Sequence, residues 1–145
     1  MLIENFNILK KLRLPESILM NIISYTYQVQ DKKLLEDIKH NYESKQHIYE
    51  IYRNIWIVEM NEVEPEDKEW LINDLYRYAN DDIATMLGHV VKFYNIFFRN
   101  KYLKTEKDIN KYIIKLEEEK NVIKEINIFW GLFTVEERNE FISTF

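Results

Sequence analysis

The chain contains no cysteine. Disulfides, thiolate zinc sites and cysteine nucleophiles are therefore excluded, and the composition suits a reducing compartment. It has only two glycines, Gly88 and Gly131. A P-loop or a dinucleotide-binding turn needs clustered glycines so that backbone N–H groups can reach phosphate, and these two stand apart, each in a helical pattern. There are two prolines, Pro15 and Pro65, and two alanines, Ala79 and Ala84, against abundant Ile, Lys and Asn. The scarce residues have G/C-rich codons and the abundant ones A/T-rich codons, so this bias belongs to the genome. The N-terminus MLIENFNILKKLR lacks the basic-then-apolar order of a signal peptide. The longest apolar run, near Ile83 to Phe98, is interrupted by His89, Lys92 and Asn95 and is too short to span a bilayer. Positive charge is in deficit as well. A net charge of -5 argues against a nucleic-acid coat and against an anionic-membrane binder.

What is present points to helices. A chain of 145 residues suggests one domain with a substantial core. Pro15 suits a first helical position, followed by Ile18, Leu19, Ile22 and Tyr25. Asp31 is a candidate N-cap for a helix whose stripe begins at Leu34, Leu35, Ile38 and Tyr42. It continues through Ile48, Ile51, Tyr52, Ile55 and Trp56, with a kink near Glu43-Ser44 as the alternative to one long helix. Asn61 to Glu64 reads as an acidic linker, and Pro65 as the next helix start, burying Trp70 or Leu71 with Leu75 and Tyr78. Asn80-Asp81-Asp82 is a turn, and Asp81 or Asp82 can cap the next helix. Ile83, Met86, Leu87, Val90, Tyr94, Phe97 and Phe98 form the clearest helical stripe, which predicts the central, most buried helix. Gly88 within it suggests close approach of another helix. Thr105 to Asp108 and Thr134 to Glu137 resemble capping boxes, and Gly131 is a natural helix stop. No stretch alternates with period two long enough for a sheet. The expected fold is all-α: one compact domain over 1–145, of about six or seven helices, orthogonal or bundle-like. Ten tyrosines contribute to an aromatic content of 14%, and most are expected at the core edge.

The residues bear on several chemistries. Glu36, His40, Glu43 and His47 fall on one helical face, but a single stripe cannot converge on one ion. With Glu and Asp so abundant, no acidic pair stands out as an acid–base couple. Ser17, Ser24, Ser44 and Ser143 lack a nucleophile-elbow context. His89 reads as a helix contact or surface residue. Arg99, Lys101, Lys104 and Lys107 with Tyr102 could grip a strand, yet the acidic whole argues against a nucleic-acid partner. No catalytic, cofactor-binding or metal-binding residue is assigned.

Leu14-Pro15, Ile18, Ile22 and Ser24-Tyr25 resemble the first helix of an F-box. Leu34, Leu35 and Ile38 would fill the second helix of that module, and Tyr52 and Trp56 the third. The resemblance covers 14–56 and leaves 65–145 as C-terminal helices. It implies an adaptor in which Leu14, Pro15, Ile18, Ile22 and Tyr25 meet a Skp1-like linker. ISYTYQVQDKKLLEDIKHNY (residues 23–42) and FWGLFTVEERNEF (residues 129–141) are similar to short proteins of nucleocytoplasmic large DNA viruses, the giant viruses, many of which begin F-box-like. That implies a viral protein of the host cytoplasm or the virion, with a Skp1-like linker or another viral protein as partner. The alternative is a small structural protein of the virion, associated with the minor capsid. Exposed aromatics and a Trp130-Gly131 corner would suit that role.

Overall fold

A computed structural model describes residues 15, 17, 18, 31–61 and 66–145. The chain divides into two compact units, Met1–Glu36 and Asp37–Phe145. In the first unit, Ser17 and Ile18 are helical and the Ile18 amide donates to the Pro15 carbonyl. Leu14, Ile22 and Tyr25 lie outside the described residues, as do Met1 to Arg13 and the Gln28 to Gln30 break.

The described residues are all-helical, with six α-helices and no strand. They are α1 (Lys32–Arg53), α2 (Asp67–Ala79), α3 (Val91–Phe97), α4 (Glu106–Glu119), α5 (Val122–Leu132) and α6 (Val135–Ile142). Asp31 caps α1, its Oδ1 accepting from the Lys33 amide at 2.9 Å. The helix runs unbroken past Ser44 and ends in a π-helical turn, Asn54–Glu59. Both capping boxes form. Thr105 and Asp108 exchange hydrogen bonds at the start of α4, and Thr134 and Glu137 do so at the start of α6, each satisfying two orphan N–H groups.

The core of the second unit is aromatic. Ile48 and Tyr52 of α1, Leu71, Ile72, Leu75 and Ala79 of α2, and Phe93, Ile96 and Phe97 of α3 meet Ile109, Ile113 and Leu116 of α4. Ile126, Phe129 and Trp130 of α5 close it, with Phe133 and Phe141. Phe129 stands edge-on to Phe97 at 5.2 Å and to Tyr76 at 4.6 Å, the geometry the ring quadrupoles favour. Tyr52, Tyr76, Tyr78 and Tyr94 place rings at the core edge and donate their hydroxyls to Asp74, Glu125, Glu140 and Asn110. Trp70 is not sealed; it stacks on Trp56 at 4.3 Å.

Three helical stripes need correction. Leu34, Leu35, Ile38 and Tyr42 are exposed; α1 turns inward only from Ser44, with Ile48 and Tyr52 of the expected stripe buried. Residues 83–98 do not form the central helix. A 3₁₀ turn, Thr85–Leu87, and an extended Gly88 at φ 107° precede a short α3. Ile83, Met86, Leu87 and Phe98 are exposed, and Phe93, Ile96 and Phe97 take the core. Gly88 serves its backbone angle, since a Cβ there would touch nothing within 4 Å. The pattern from Ile109 to Ile126 is interrupted by Lys120, which is left-handed at φ 50°, and Asn121 caps α5 through its side chain. Gly131 sits inside α5, and the helix stops at Phe133.

Candidate functional site

The structure draws attention to the loop between α2 and α3. α2 ends at Ala79, and Asp81 and Asp82 turn the chain through left-handed angles of 50° and 60°, which Asp tolerates better than most residues. Neither caps α3. The organising residue is Asn80, which is fully buried. Its Nδ2 donates to the carbonyls of Ile83 (2.8 Å) and Gly88 (3.0 Å), and its Oδ1 accepts from the Val90 amide at 2.9 Å. One amide side chain thus closes both ends of the loop onto itself. Below the loop, His89 stacks on Phe93 at 4.0 Å, and its Nδ1 pairs with Asn110 of α4 at 3.1 Å. Lys92 reaches Asp81 at 3.2 Å while lying over the Tyr78 ring.

This scaffold holds apolar side chains out in solvent. Met86 is 90% exposed, Leu87 78% and Val91 74%, with Ile83 beside them. Exposing this much apolar surface on a braced loop contributes nothing to the core, and contiguous exposed apolar side chains mark interaction surfaces. Met suits such a surface because its unbranched, polarisable side chain adapts to a partner.

Beside Met86 a cleft of 610 Å³ opens between α2, the end of α4 and the start of α5. Ile72 and Tyr76 line it with the carboxylates Glu69, Asp82, Glu117 and Glu125 and the cations Arg77 and Lys120. Glu125 is only 7% exposed, and its Oε2 accepts from the Tyr76 hydroxyl at 3.0 Å. Burial pushes the Glu125 carboxyl above the usual carboxylate range. The Tyr76 hydrogen bond opposes that rise, and the charge of Glu117 adds to it. Burial and the neighbouring Glu125 likewise hold Tyr76 protonated, as a donor. Among the described residues, Glu69, Glu117 and Glu125 make no ion pair, whereas Asp82 pairs with Arg77 at 3.5 Å. The cleft carries carboxylates without an imidazole.

Of the residues expected to meet a partner, Pro15 and Ile18 are described and both are exposed, Ile18 by 45%. Glu36, His40, Glu43 and His47 follow one another along α1. His40 Nε2 pairs with Asn139 at 2.9 Å, and among the described residues no group of three or more His, Asp or Glu could hold a metal ion. From the basic cluster after α3, Arg99 is engaged within the fold, while Lys101, Lys104 and Lys107 stay exposed. Arg99 makes a two-pronged bond to Glu137 and donates to the Leu132 carbonyl at 2.8 Å, so its charge braces the start of α6. Lys101 instead lies near the exposed ring of Tyr102. Trp130 is fully buried and lies within α5, so no Trp130-Gly131 corner is offered to a partner.

Sequence reasoning missed Asn80 and the Tyr76–Glu125 pair. A signal for Glu125 was present: it falls on the same helical stripe as Val122 and Phe129, where a carboxylate needs a partner. Asn80 offered none, because its bonds reach forward as far as Val90. Among the described residues no helix is long and apolar enough to cross a membrane. No protein-family model matches the chain, and comparison with curated proteins and with solved structures gave no match.

Proposed function

We propose that this protein is a non-enzymatic helical module for protein–protein interaction and that the Ile83–Val91 loop is its main partner face. The supporting observation is the pairing of near-complete exposure at Met86 and Leu87 with a loop closed by three hydrogen bonds from one buried Asn80. A braced loop loses little entropy on binding, so its apolar contacts translate more fully into affinity. The test is selection of 16-residue peptides from a random display library. Each is then measured by fluorescence anisotropy against the wild-type chain and the double variant Met86→Ser, Leu87→Ser. The expected result is binders that the variant weakens at least about tenfold, as for loss of two hot-spot side chains. Peptides that ignore the variant, or no binders at all, would overturn the reading.

In its finer form the module is an F-box-like adaptor of a large DNA virus, working in the host cytoplasm. Leu14, Pro15, Ile18, Ile22 and Tyr25 would then meet a Skp1-like linker while the loop meets the target. The exposure of the Ile18 side chain supports this reading. Co-purification with a Skp1-like protein, lost on Ile18→Asp, is the expected result, and capture that survives the substitution counts against it. The structural virion role loses the Trp130-Gly131 corner and retains only exposed aromatics such as Tyr42 and Tyr102.

A further inference from the structure

We propose that the cleft beside Met86 takes the cationic side chain of a basic, apolar peptide segment whose apolar residues cover Met86 and Leu87. The proposal rests on the interaction reading above and names the chemistry of the partner. Three observations carry it. The cleft and the apolar loop are one continuous surface, since Met86 belongs to both. Glu125 is more than nine-tenths buried with one oxygen held by Tyr76, and its other oxygen accepts no hydrogen bond among the described residues. Glu117 lies close enough to disfavour the Glu125 charge, and neither carboxylate has a cationic partner among the described residues.

The cleft's four carboxylates, Glu69, Asp82, Glu117 and Glu125, outnumber its two cations, Arg77 and Lys120, so beside Ile72 and Tyr76 they form a site that an incoming cation stabilises and an anion does not. Lys or Arg fits doubly. The stem packs on the Tyr76 ring and Ile72 while the head reaches the carboxylates. A guanidinium would satisfy both Glu125 Oε1 and Glu117, because its donors form a planar fork. A neutral apolar peptide would cover Met86 and take Glu125 Oε1 and Glu117 from water without offering a counter-charge, which costs affinity.

The experiment uses the full chain and two probes. Butylguanidinium and its neutral counterpart butylurea are titrated while backbone amide shifts are followed by NMR. Selected peptides are remade with each Arg or Lys replaced by citrulline or norleucine. The expected outcome is saturable shifts at Tyr76, Thr85, Glu117 and Glu125 with butylguanidinium alone. Neutral peptides should bind at least about tenfold more weakly, the effect of one charged hydrogen bond. Glu125→Gln should erase that preference, and Glu117→Gln should reduce it. The peptide comparison is made on the wild-type chain, so it stands even where a variant misfolds. Equal shifts with butylurea, or shifts reproduced by calcium chloride, would overturn the proposal. So would a homodimer that Met86→Ser, Leu87→Ser dissociates, since a second copy would then cover the face. Peptides that need Met86 and Leu87 but ignore charge and Glu125→Gln would sink the cleft assignment and leave the interaction reading standing. Peptides that ignore the loop would sink that reading first.

Discussion

Residues 83–98 and 122–133 are both rich in large apolar side chains, and they bury them unequally. From the second segment, Ile126, Phe129, Trp130 and Phe133 enter the core. From the first, Phe93, Ile96 and Phe97 do so, while Ile83, Met86, Leu87 and Val91 stay in water. The difference lies in where the backbone hydrogen bonds go. Asn121 caps α5 at its start, and the helix then satisfies its own N–H and C=O groups. In the loop, Asn80 intercepts the Ile83 and Gly88 carbonyls and the Val90 amide, and Gly88 takes an angle no helix contains. Backbone accounting, rather than apolar content, decides which segment becomes core.

The contrast is sharpened most by Arg138. It is 1% exposed, with Nε donating to the Trp130 carbonyl at 2.9 Å and Nη1 to Asp37 at 2.7 Å. It therefore answers the end of α5 and ties it to α1. Arg138→Ala opens a void, unpairs Asp37 and leaves the Trp130 carbonyl only its longer bond from the Asn41 amide at 3.3 Å, and the expected loss is about 3 kcal/mol, at the lower end for broken buried pairs because Asp37 is half-exposed. Urea unfolding monitored by tryptophan fluorescence measures it. A loss below about 1 kcal/mol would mean that α5 is held by its apolar face alone.

Asn80→Ala attacks the other region. Three hydrogen bonds disappear and two carbonyls lose their donor, for an expected loss of about 2–3 kcal/mol. Amide exchange at Val90 should accelerate more than exchange in α5. Equal acceleration in both places would show that the loop and the core open as one unit. Gly88→Ala should cost about 1–2 kcal/mol, because φ 107° with ψ 174° is essentially a glycine-only conformation. No clash adds to that cost, since nothing lies within 4 Å of the added carbon. A neutral result in thermal unfolding would show that the loop accepts another path.

The parts of this structure visible in the sequence are those settled within one turn. Thr105 with Asp108 and Thr134 with Glu137 are three apart, and the motif itself states the bond. The helical class followed from spacing in the same local way. Periodicity fails where partners are remote. Ile83 to Phe98 keeps a perfect helical stripe, yet Asn80, outside that stripe, breaks it. Arg138 reads as a surface cation until Asp37, separated from it by 101 positions, is brought to its side. The acidic cleft was hidden for the same reason: Tyr76 and Glu125 lie 49 positions apart and meet only after α2 packs on α5.

The smallest expected effect bears most directly on function. Glu125→Gln keeps the shape and the Tyr76 hydrogen bond while removing a charge that burial and Glu117 disfavour. Because the Glu125 carboxyl is raised on folding, the folded state holds its proton more tightly than the unfolded chain. Its contribution is therefore full below the unfolded carboxyl range, near pH 4, and is lost as pH rises through the folded value. The glutamine variant escapes that loss and should melt about 2 °C higher at pH 7, a change of under about 1 kcal/mol, with no advantage at pH 4. Glu125 shares its cleft with Glu69, Tyr76 and Arg77 of α2, Asp82, and Glu117 and Lys120 at the end of α4. Glu118→Gln, an exposed neighbour on α4, alters net charge equally and serves as the control. A gain at Glu125 that the control lacks would show that the loop's neighbour retains a carboxylate the fold would do better without, which is how a site held for a cationic partner differs from the sealed core around Trp130.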